Sequence, residues 1–301
     1  MKKFRHFLKE ENIKKNASRG VPFEWGIVYW CLKSSGWNDD DLKKRNPNLV
    51  DPGGTVSSEA KKAIKNVPEP LRPTVYHSDE LKISGNPEPK TDILFGKNHE
   101  YRVSVKMSGA IQLSSGEGKS TATMLNFVLN EFEKREGIKD EEIAKIISTI
   151  EQMPTKMVSP QNINRLEKEK PELLSTMKLS DGSLNPKFNW KDWEAKNKST
   201  IKDFLTNYIS INPLFTQILI DEALSGRMVF QNGMASANYI ITPNKFVEIS
   251  PSYTNEVAKK TKIDIRAKSR KGITAATIRF DTTSENKNFS DFNSLQERED
   301  S

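Results

Sequence analysis

One stretch of the chain, from Thr91 to Phe127, holds residues for two different chemistries. Its first half, "TDILFGKNHEYRVSVKM", places Asp92 shortly before a strand-like run that includes Lys106. A carboxylate can hold a divalent cation, and a lysine beside it can stabilise the negative charge that develops when a phosphodiester is hydrolysed. Its second half, "SSGEGKST", has the glycine, lysine and hydroxyl residues of a phosphate-binding loop. The two halves therefore predict two different functions, a nuclease and an NTPase.

The phosphate-loop motif fails at its first glycine. A Walker A sequence has glycine, four residues and then Gly-Lys-Ser/Thr, so that backbone amides wrap the phosphates. Counting back from Gly118 puts the first glycine at the position of Leu113. A P-loop-like NTPase therefore stays only as a weaker alternative. The simpler interpretation is a Gly-Ser turn that leads into a helix, with Ser120 or Thr121 near its cap.

Residue types alternate along "EYRVSVKM", which is the period of a β-strand with two different faces. One face carries Arg102, Ser104 and Lys106, and the other carries Tyr101, Val103, Val105 and Met107. The intervening "FGKNHE" is a natural hairpin connection between strands predicted at 91–95 and 100–107. Pairing of these strands can bring Asp92 beside Ser104 and Lys106. A surface ion pair and a catalytic pair both fit this spacing.

An aspartate, a short hairpin and then "VSVK" resemble the PD-(D/E)XK nuclease superfamily, whose core pairs an aspartate with an acidic-x-lysine strand. The segment "RGVPFEWGIVYWCLK" is similar to the first helix of those nucleases, in which a glutamate, here Glu24, points into the metal site. Gln112 follows Lys106 by six residues, where many members place a polar residue beside the site. The resemblance covers short segments within roughly the first 135 residues. It implies a restriction-endonuclease-like sheet flanked by helices.

Two positions depart from the pattern of the superfamily. Thr91 stands where the family has proline, and Ser104 stands where it has the acidic residue of the acidic-x-lysine pair. The second change removes a metal ligand. Some restriction enzymes of the superfamily also have Ser-x-Lys and take a carboxylate from a following helix, a role that Glu117 could fill in this chain. Glu24 is the other candidate, and without either carboxylate the domain would bind DNA and not cut it.

The resemblance implies a role for each site residue. Asp92 is the main ligand of Mg²⁺, for which Mn²⁺ can substitute, with Glu24 or Glu117 as the second carboxylate and the backbone carbonyl of Val105 as a third oxygen. Lys106 orients the attacking water and stabilises negative charge, while Ser104 and Gln112 position water or phosphate by hydrogen bonds. The expected function is a metal-dependent DNA endonuclease. The alternative is a non-catalytic DNA-binding or phage structural protein that keeps the nuclease fold.

The charge of the chain favours a polyanionic partner. The formal net charge is +7 and the pI is about 9.2, and neutralising phosphates releases counterions that drive binding. We therefore expect DNA as the partner, and a homodimer stays open. The cationic residues predicted to contact DNA lie between Val257 and Gly272: Lys259, Lys260, Lys262, Arg266, Lys268, Arg270 and Lys271.

The remaining composition points to a cytoplasmic protein that does not enter a membrane. No apolar run approaches the roughly 20 residues that span a bilayer, and the N-terminus "MKKFRHFLKEEN" lacks the apolar core of a secretory signal. A lone cysteine, Cys31, excludes a disulfide framework and a cysteine-cluster zinc site. If the gene is carried by a phage, the compartment is the cytoplasm of the host cell.

The order of predicted elements indicates a mixed α/β (α+β) fold with a helical insertion and a C-terminal β-rich segment. We divide the chain into a nuclease core at 1–135, a helical region at 136–228, a basic β-rich segment at 229–281 and a flexible tail at 282–301. The core contains a loop-rich insertion at 36–90 and the active-site hairpin at 91–114. Helices are predicted at 4–15, 22–35, 58–66, 119–135, 139–152, 160–178, 190–208 and 213–225, and further strands at 110–114, 237–242, 246–250, 262–268 and 274–280.

Overall fold

The computed structural model describes residues 20–84, 89–107, 111–154, 157–158, 168, 171–172, 190–270 and 273–282. The helix predicted at 4–15, most of the helix predicted at 160–178 and all but the first residue of the predicted tail at 282–301 lie outside these ranges. Within them, helices and strands combine in a mixed α/β arrangement, which confirms the predicted fold class. Among the described helices, none has the length and apolar character that crossing a bilayer requires.

The described helices and strands follow the predicted order. The helices are α1 Gly20–Ser34, α2 Asp39–Arg45, α3 Gly54–Lys65, α4 Gly118–Glu136, α5 Glu141–Glu151, α6 Trp190–Ile211, α7 Pro213–Ser225 and α8 Pro251–Ala258. The strands are β1 Tyr76–His77, β2 Ile93–Phe95, β3 Tyr101–Val105, β4 Gln112–Glu117, β5 Met157–Val158, β6 Tyr239–Thr242, β7 Lys245–Glu248, β8 Thr261–Arg270 and β9 Ile273–Thr282. The short elements α2, β1, β5 and α8 have no counterpart in the sequence prediction, because none of them spans enough residues to show a clear period.

The first sheet has the strand order β1-β2-β3-β6-β7. Strands β1, β2 and β3 form an antiparallel meander, in which Ile93 lies opposite Val103, and β6 then runs parallel to β3 with Tyr239 opposite Val103. A parallel pair needs a long crossover, and helices α4 to α7 lie within that connection. One edge of this sheet, the one that runs across the strand ends, is formed by the end of β1, the start of β2 and the ends of β3 and β6.

Helix α1 packs against this sheet as the centre of the first hydrophobic core. It is apolar around most of its circumference, so it is buried on several sides, and Cys31 is among its fully buried residues. Gly26 allows α3 to approach closely, because a β-carbon there would lie 3.0 Å from Pro52 Cγ and 3.2 Å from Ala60 Cβ. The apolar face predicted for β3 joins this core through Val103 and Val105.

The second sheet is built around β9, which pairs with β8 on one side and with β4 and β5 on the other. Ile263 and Ile265 of β8 and Ile278 of β9 face a second hydrophobic core that also contains residues of α4, α5, α6 and α7. The strand predicted at 262–268 is therefore present, with Ile263 and Ile265 buried and Lys262 exposed on the opposite face.

The structure corrects the placement of β4. We expected the strand at 110–114 to extend the active-site hairpin, but it pairs with β9 in the second sheet. Ile111 and Thr282 hold it there, since the Ile111 N–H donates to Thr282 Oγ1 at 2.8 Å and the Thr282 N–H donates to the Ile111 carbonyl at 2.9 Å. Leu113 is buried in the second core together with α4. Met107 thus packs against the first core, while Ile111 belongs to the second.

The glycine-rich segment "SSGEGKST" is a direct junction of strand and helix. Strand β4 runs to Glu117 and helix α4 begins at Gly118, so these described residues contain no loop that could wrap a phosphate. A β-carbon at Gly118 would overlap the Ile150 carbonyl oxygen, which explains this glycine by close helix packing. Thr121 Oγ1 also donates to the Gly116 carbonyl at 3.0 Å. These contacts fit the simpler interpretation of a turn that leads into a helix.

Candidate active site

Asp92 directly precedes β2, where the antiparallel pairing of β2 with β3 ends. Its backbone N–H donates to the Val103 carbonyl at 2.9 Å. Its side-chain Oδ2 accepts the backbone N–H of Val105 at 2.6 Å and lies 3.4 Å from Ser104 Oγ, which donates to it. The carboxylate therefore faces the end of β3, immediately before Lys106. The predicted hairpin accounts for this contact between residues 12 and 13 positions apart in the sequence.

Ser104 is buried beneath the carboxylate. It is only 1% exposed. The residue before Asp92 is also anchored, since Thr91 Oγ1 donates to the Ser236 carbonyl at 2.9 Å. Arg102, on the same face of β3, donates from Nε to that same carbonyl at 2.8 Å. On the polar face of β3, Ser104 is therefore buried, while Arg102 and Lys106 on either side of it are partly buried.

Lys106 is fixed at the end of β3 by the parallel strand β6. Its backbone N–H donates to the Ile241 carbonyl at 2.9 Å. Its ammonium group acts electrostatically on Asp92, lowering the pKa of that carboxyl. The carboxyl ends of parallel strands are the edge at which open α/β sheets bind ligands, and Lys106 follows such an end.

Glu24 reaches the same edge from the first helix. Its negative charge raises the pKa of Asp92, so the two carboxylates are close enough to repel each other. Glu24 Oε2 also lies 3.4 Å from Nε2 of His77, at the end of β1. Helix α1 places Glu24 in this position because its apolar residues are buried against the sheet on both sides of it, at Phe23 and Trp25.

The surroundings of Asp92 shift the pKa of its carboxyl strongly. Burial, the largest effect, raises the pKa of Asp92 to about 7, and the charge of Glu24 acts in the same direction. The Lys106 ammonium, the Val105 N–H and His77 lower the pKa but do not offset the burial. A carboxyl whose pKa is raised by burial and by a neighbouring carboxylate is typical of a functional site.

The structure brings together some of the predicted site residues and leaves others apart. Glu24, Ser104, Val105 and Lys106 surround Asp92. Gln112 and Glu117 lie on β4 in the second sheet, both exposed, opposite Asp281 and Thr277. No contact within the described residues joins either of them to Asp92. Of the two candidates for the second carboxylate, Glu24 is the one whose charge acts on Asp92.

The acidic, histidine and cysteine side chains of the described part of the chain do not form a larger metal-binding cluster. No group of three or more such side chains there is arranged to hold a metal ion. Asp92 and Glu24 form a pair of carboxylates, with a backbone carbonyl at Val105 in the next strand. A cation that needs only one or two carboxylates remains compatible with this donor set.

The basic segment predicted to contact DNA divides into two parts. Lys259, Lys260 and Lys262 are exposed at the junction of α8 and β8. Arg266 is partly buried on the polar face of β8, the backbones of Lys268 and Arg270 continue this strand, and Lys271 lies outside the described residues. Acidic residues share that face.

Those acidic residues offset part of the positive charge. Asp281 lies opposite Lys262, and Asp264 lies opposite Arg279. Arg279 Nε donates to Asp281 Oδ2, and burial raises the pKa of Asp281. The polar face of the second sheet is therefore of mixed charge. The exposed lysines at 259–262 are the more strongly cationic part of the predicted surface.

His77 and Trp25 are site residues that sequence reasoning missed. His77 is 3% exposed and stacks on Trp25, with ring centroids 3.9 Å apart and an angle of 10° between the planes. The only sequence signal is the pattern "HSDE", in which the first residue caps a turn and an acid three residues later caps it in return. Nothing in that pattern indicates a contact with Glu24.

Comparison of the chain with protein-family models, with curated proteins and with solved structures found no match.

Proposed function

We propose that this protein is a metal-dependent DNA endonuclease, and that it hydrolyses phosphodiester bonds at the sheet edge where Asp92, Glu24 and Lys106 meet. The observation that carries the proposal is the convergence of two carboxylates and one lysine from three separate elements, with Glu24 and Lys106 both acting on the charge of Asp92. These are also the residues on which the resemblance to the PD-(D/E)XK superfamily rests. The excess of positive charge supports a polyanionic substrate.

The donor set of this edge fits Mg²⁺. This ion takes oxygen ligands and keeps several waters, so that one or two carboxylates hold it against a substrate phosphate. Asp92 and Glu24 would supply the carboxylates, and the Val105 carbonyl a third oxygen. A cation between them would relieve the repulsion and the burial cost that raise the pKa of Asp92. When bound, Mg²⁺ would supply Lewis-acid stabilisation and a water of lowered pKa.

The residues of the chain have distinct tasks in this scheme. The Val105 N–H and the Ser104 hydroxyl orient the Asp92 carboxylate. The Lys106 ammonium stabilises the negative charge that grows on the phosphate as the bond to the attacking water forms. The exposed lysines at 259–262 bind the phosphate backbone. Gln112 keeps its predicted role of positioning water or phosphate only if the substrate bridges the first and second sheets.

The test is cleavage of supercoiled, linear and branched DNA by purified protein with Mg²⁺ or Mn²⁺, compared with EDTA. Cleavage should need the divalent ion. Glu24→Gln should abolish it, whereas Glu117→Gln, the matched control on β4, should cut like the wild type. If Glu117→Gln alone abolished cleavage, the second carboxylate would be Glu117.

A second function is favoured by one observation, the neutral Ser104 where the superfamily has an acid. With one ligand fewer, the protein would bind DNA and not cut it. A folded wild type that binds DNA but cleaves none of the three forms with either metal would support this alternative.

A further inference from the structure

Contacts from other elements hold both the backbone and the ring of His77. Glu80 accepts its backbone N–H at 2.8 Å. The same carboxylate pairs with Arg45 through two hydrogen bonds, of 2.9 Å and 3.0 Å, and Arg45 also donates to the Val75 carbonyl at 2.7 Å. The backbone at Val75 and His77 is therefore held by a partly buried ion pair, while Trp25 stacks on the ring.

The hydrogen bonds of the ring determine its tautomer. The backbone N–H of Asp79 donates to Nδ1 at 3.1 Å, so Nδ1 acts as an acceptor and carries no proton. In the neutral imidazole the proton is then on Nε2. That nitrogen faces Glu24 Oε2 at 3.4 Å. The distance is long for a hydrogen bond.

We propose that His77 is a positioning residue that holds the Glu24 carboxylate toward Asp92 through its Nε2–H. The inference rests on the proposed function, since it assigns Glu24 to the cation site. Glutamate has three rotatable side-chain bonds, and Glu24 is repelled by Asp92. A fixed donor on one oxygen keeps Glu24 from turning away, and leaves its other oxygen for a cation.

A bland alternative is that His77 only caps the turn that follows it. Two substitutions separate the roles, because asparagine reproduces the position of Nδ1 and glutamine reproduces that of Nε2. His77→Asn keeps an acceptor for the Asp79 N–H but cannot reach Glu24. His77→Gln loses the cap acceptor but keeps a donor for Glu24. If His77 positions Glu24, His77→Gln should bind the cation more tightly than His77→Asn. If His77 only caps the turn, the order should be the reverse.

The first readout is Mn²⁺ binding at a single pH, measured by calorimetry on the full chain. His77→Gln should bind Mn²⁺ within a few-fold of the wild type, and His77→Asn should lose about 10- to 100-fold in affinity. Wild-type affinity in His77→Asn would overturn the proposal. A wild type that binds Mn²⁺ with the expected ranking of variants but cuts no DNA would sink the proposed nuclease and leave the positioning role standing.

The second readout needs no metal and no substitution of His77. The chain has three histidines, His6, His77 and His99, so their ring nitrogens can be resolved by ¹⁵N NMR of the wild type. The His77 signals should show the Nε2–H tautomer, and Glu24→Gln should shift the Nε2 resonance. A proton on Nδ1, or an Nε2 resonance unchanged by Glu24→Gln, would overturn the proposal even if the wild type bound no Mn²⁺.

Discussion

The carboxylate of Asp92 accepts the backbone N–H of Val105 at 2.6 Å, one step beyond the last paired residues of β2 and β3. The Asp92 side-chain oxygen here accepts the hydrogen bond that a backbone carbonyl would accept if the hairpin were longer. Asp92 is thereby tied to the backbone next to Lys106. The strand thus fixes the position of the Asp92 carboxylate relative to the backbone of Lys106, and a precise site needs such support from a rigid element.

The raised pKa of Asp92 predicts how stability depends on pH. The folded pKa, about 7, lies above the ordinary value of 3.8, so the native state holds a proton that the unfolded state has lost between these values. The contribution of Asp92 to stability is therefore full below about pH 4 and is lost as pH rises through about 7. Asp92→Asn should lose less stability than the wild type between pH 5 and pH 8.

Urea unfolding at the two pH values measures this difference. Asp203→Asn, which removes an exposed acid on α6, is the matched control and should keep the wild-type pH dependence. The same slope in wild type and Asp92→Asn would show that Asp92 titrates as an ordinary surface acid.

The same proton predicts that metal binding depends on pH. A cation and a proton compete for the Asp92 carboxylate, so affinity for Mn²⁺ should fall by up to about tenfold for each pH unit below about 7 and should level off above it. Titrations at pH 6, 7 and 8 measure the change. An affinity that stays constant from pH 6 to pH 8 would mean that Asp92 is not a ligand.

Gly118 should be intolerant of any side chain, because of its contact with α5. A β-carbon would overlap the Ile150 carbonyl oxygen and would lie 2.6 Å from Met153 Cβ, so helix α5 must move. Gly118→Ala should therefore cost about 1–3 kcal/mol in the free energy of unfolding. Lys119→Ala, at the exposed neighbouring position, is the control and should keep the wild-type melting temperature.

ATP should raise the melting temperature of neither the wild type nor Lys119→Ala. A rise with ATP in the wild type that Lys119→Ala abolishes would support the phosphate-loop interpretation instead.

DNA binding should depend on the exposed lysines at the start of β8. Replacing Lys259, Lys260 and Lys262 with glutamine should weaken binding to all sequences and reduce the slope of log affinity against log salt by about 0.9 for each phosphate that is no longer neutralised. The control replaces Lys134, Lys139 and Lys145, which are equally exposed on the helical side of the molecule. Equal salt slopes for both triple variants would remove the β8 lysines from the interface.

The hairpin half of the site was predictable from sequence, because its geometry is local. Alternation in "YRVSVKM" identifies a strand, and a short connection fixes which residues of β2 it meets. That is sufficient to place Asp92 beside Ser104 and Lys106. Glu24 came from the resemblance and not from periodicity, since the apolar residues of α1 surround it on all sides and no face stands out.

The features that the sequence did not predict depend on contacts between residues that are far apart in the chain. The short distance in sequence between β3 and β4 favours a hairpin, yet the partner of β4 is β9, more than 150 residues later in the chain. His77 was missed because β1 is two residues long and its ring reaches Glu24 across the interface of helix and sheet. The periodicity of a segment's residues shows its local structure. It does not show which distant segment it pairs with or packs against.

The measurement that tests the central claim most directly is cleavage of plasmid DNA in Mg²⁺ by Asp92→Ala, Lys106→Ala and the double variant. If the two side chains act together at one site, each single change should reduce the rate by several orders of magnitude, and the double variant should be little slower than either. DNA binding should survive in all three, because the basic surface supplies most of the affinity. Wild-type cleavage by Lys106→Ala would contradict the account.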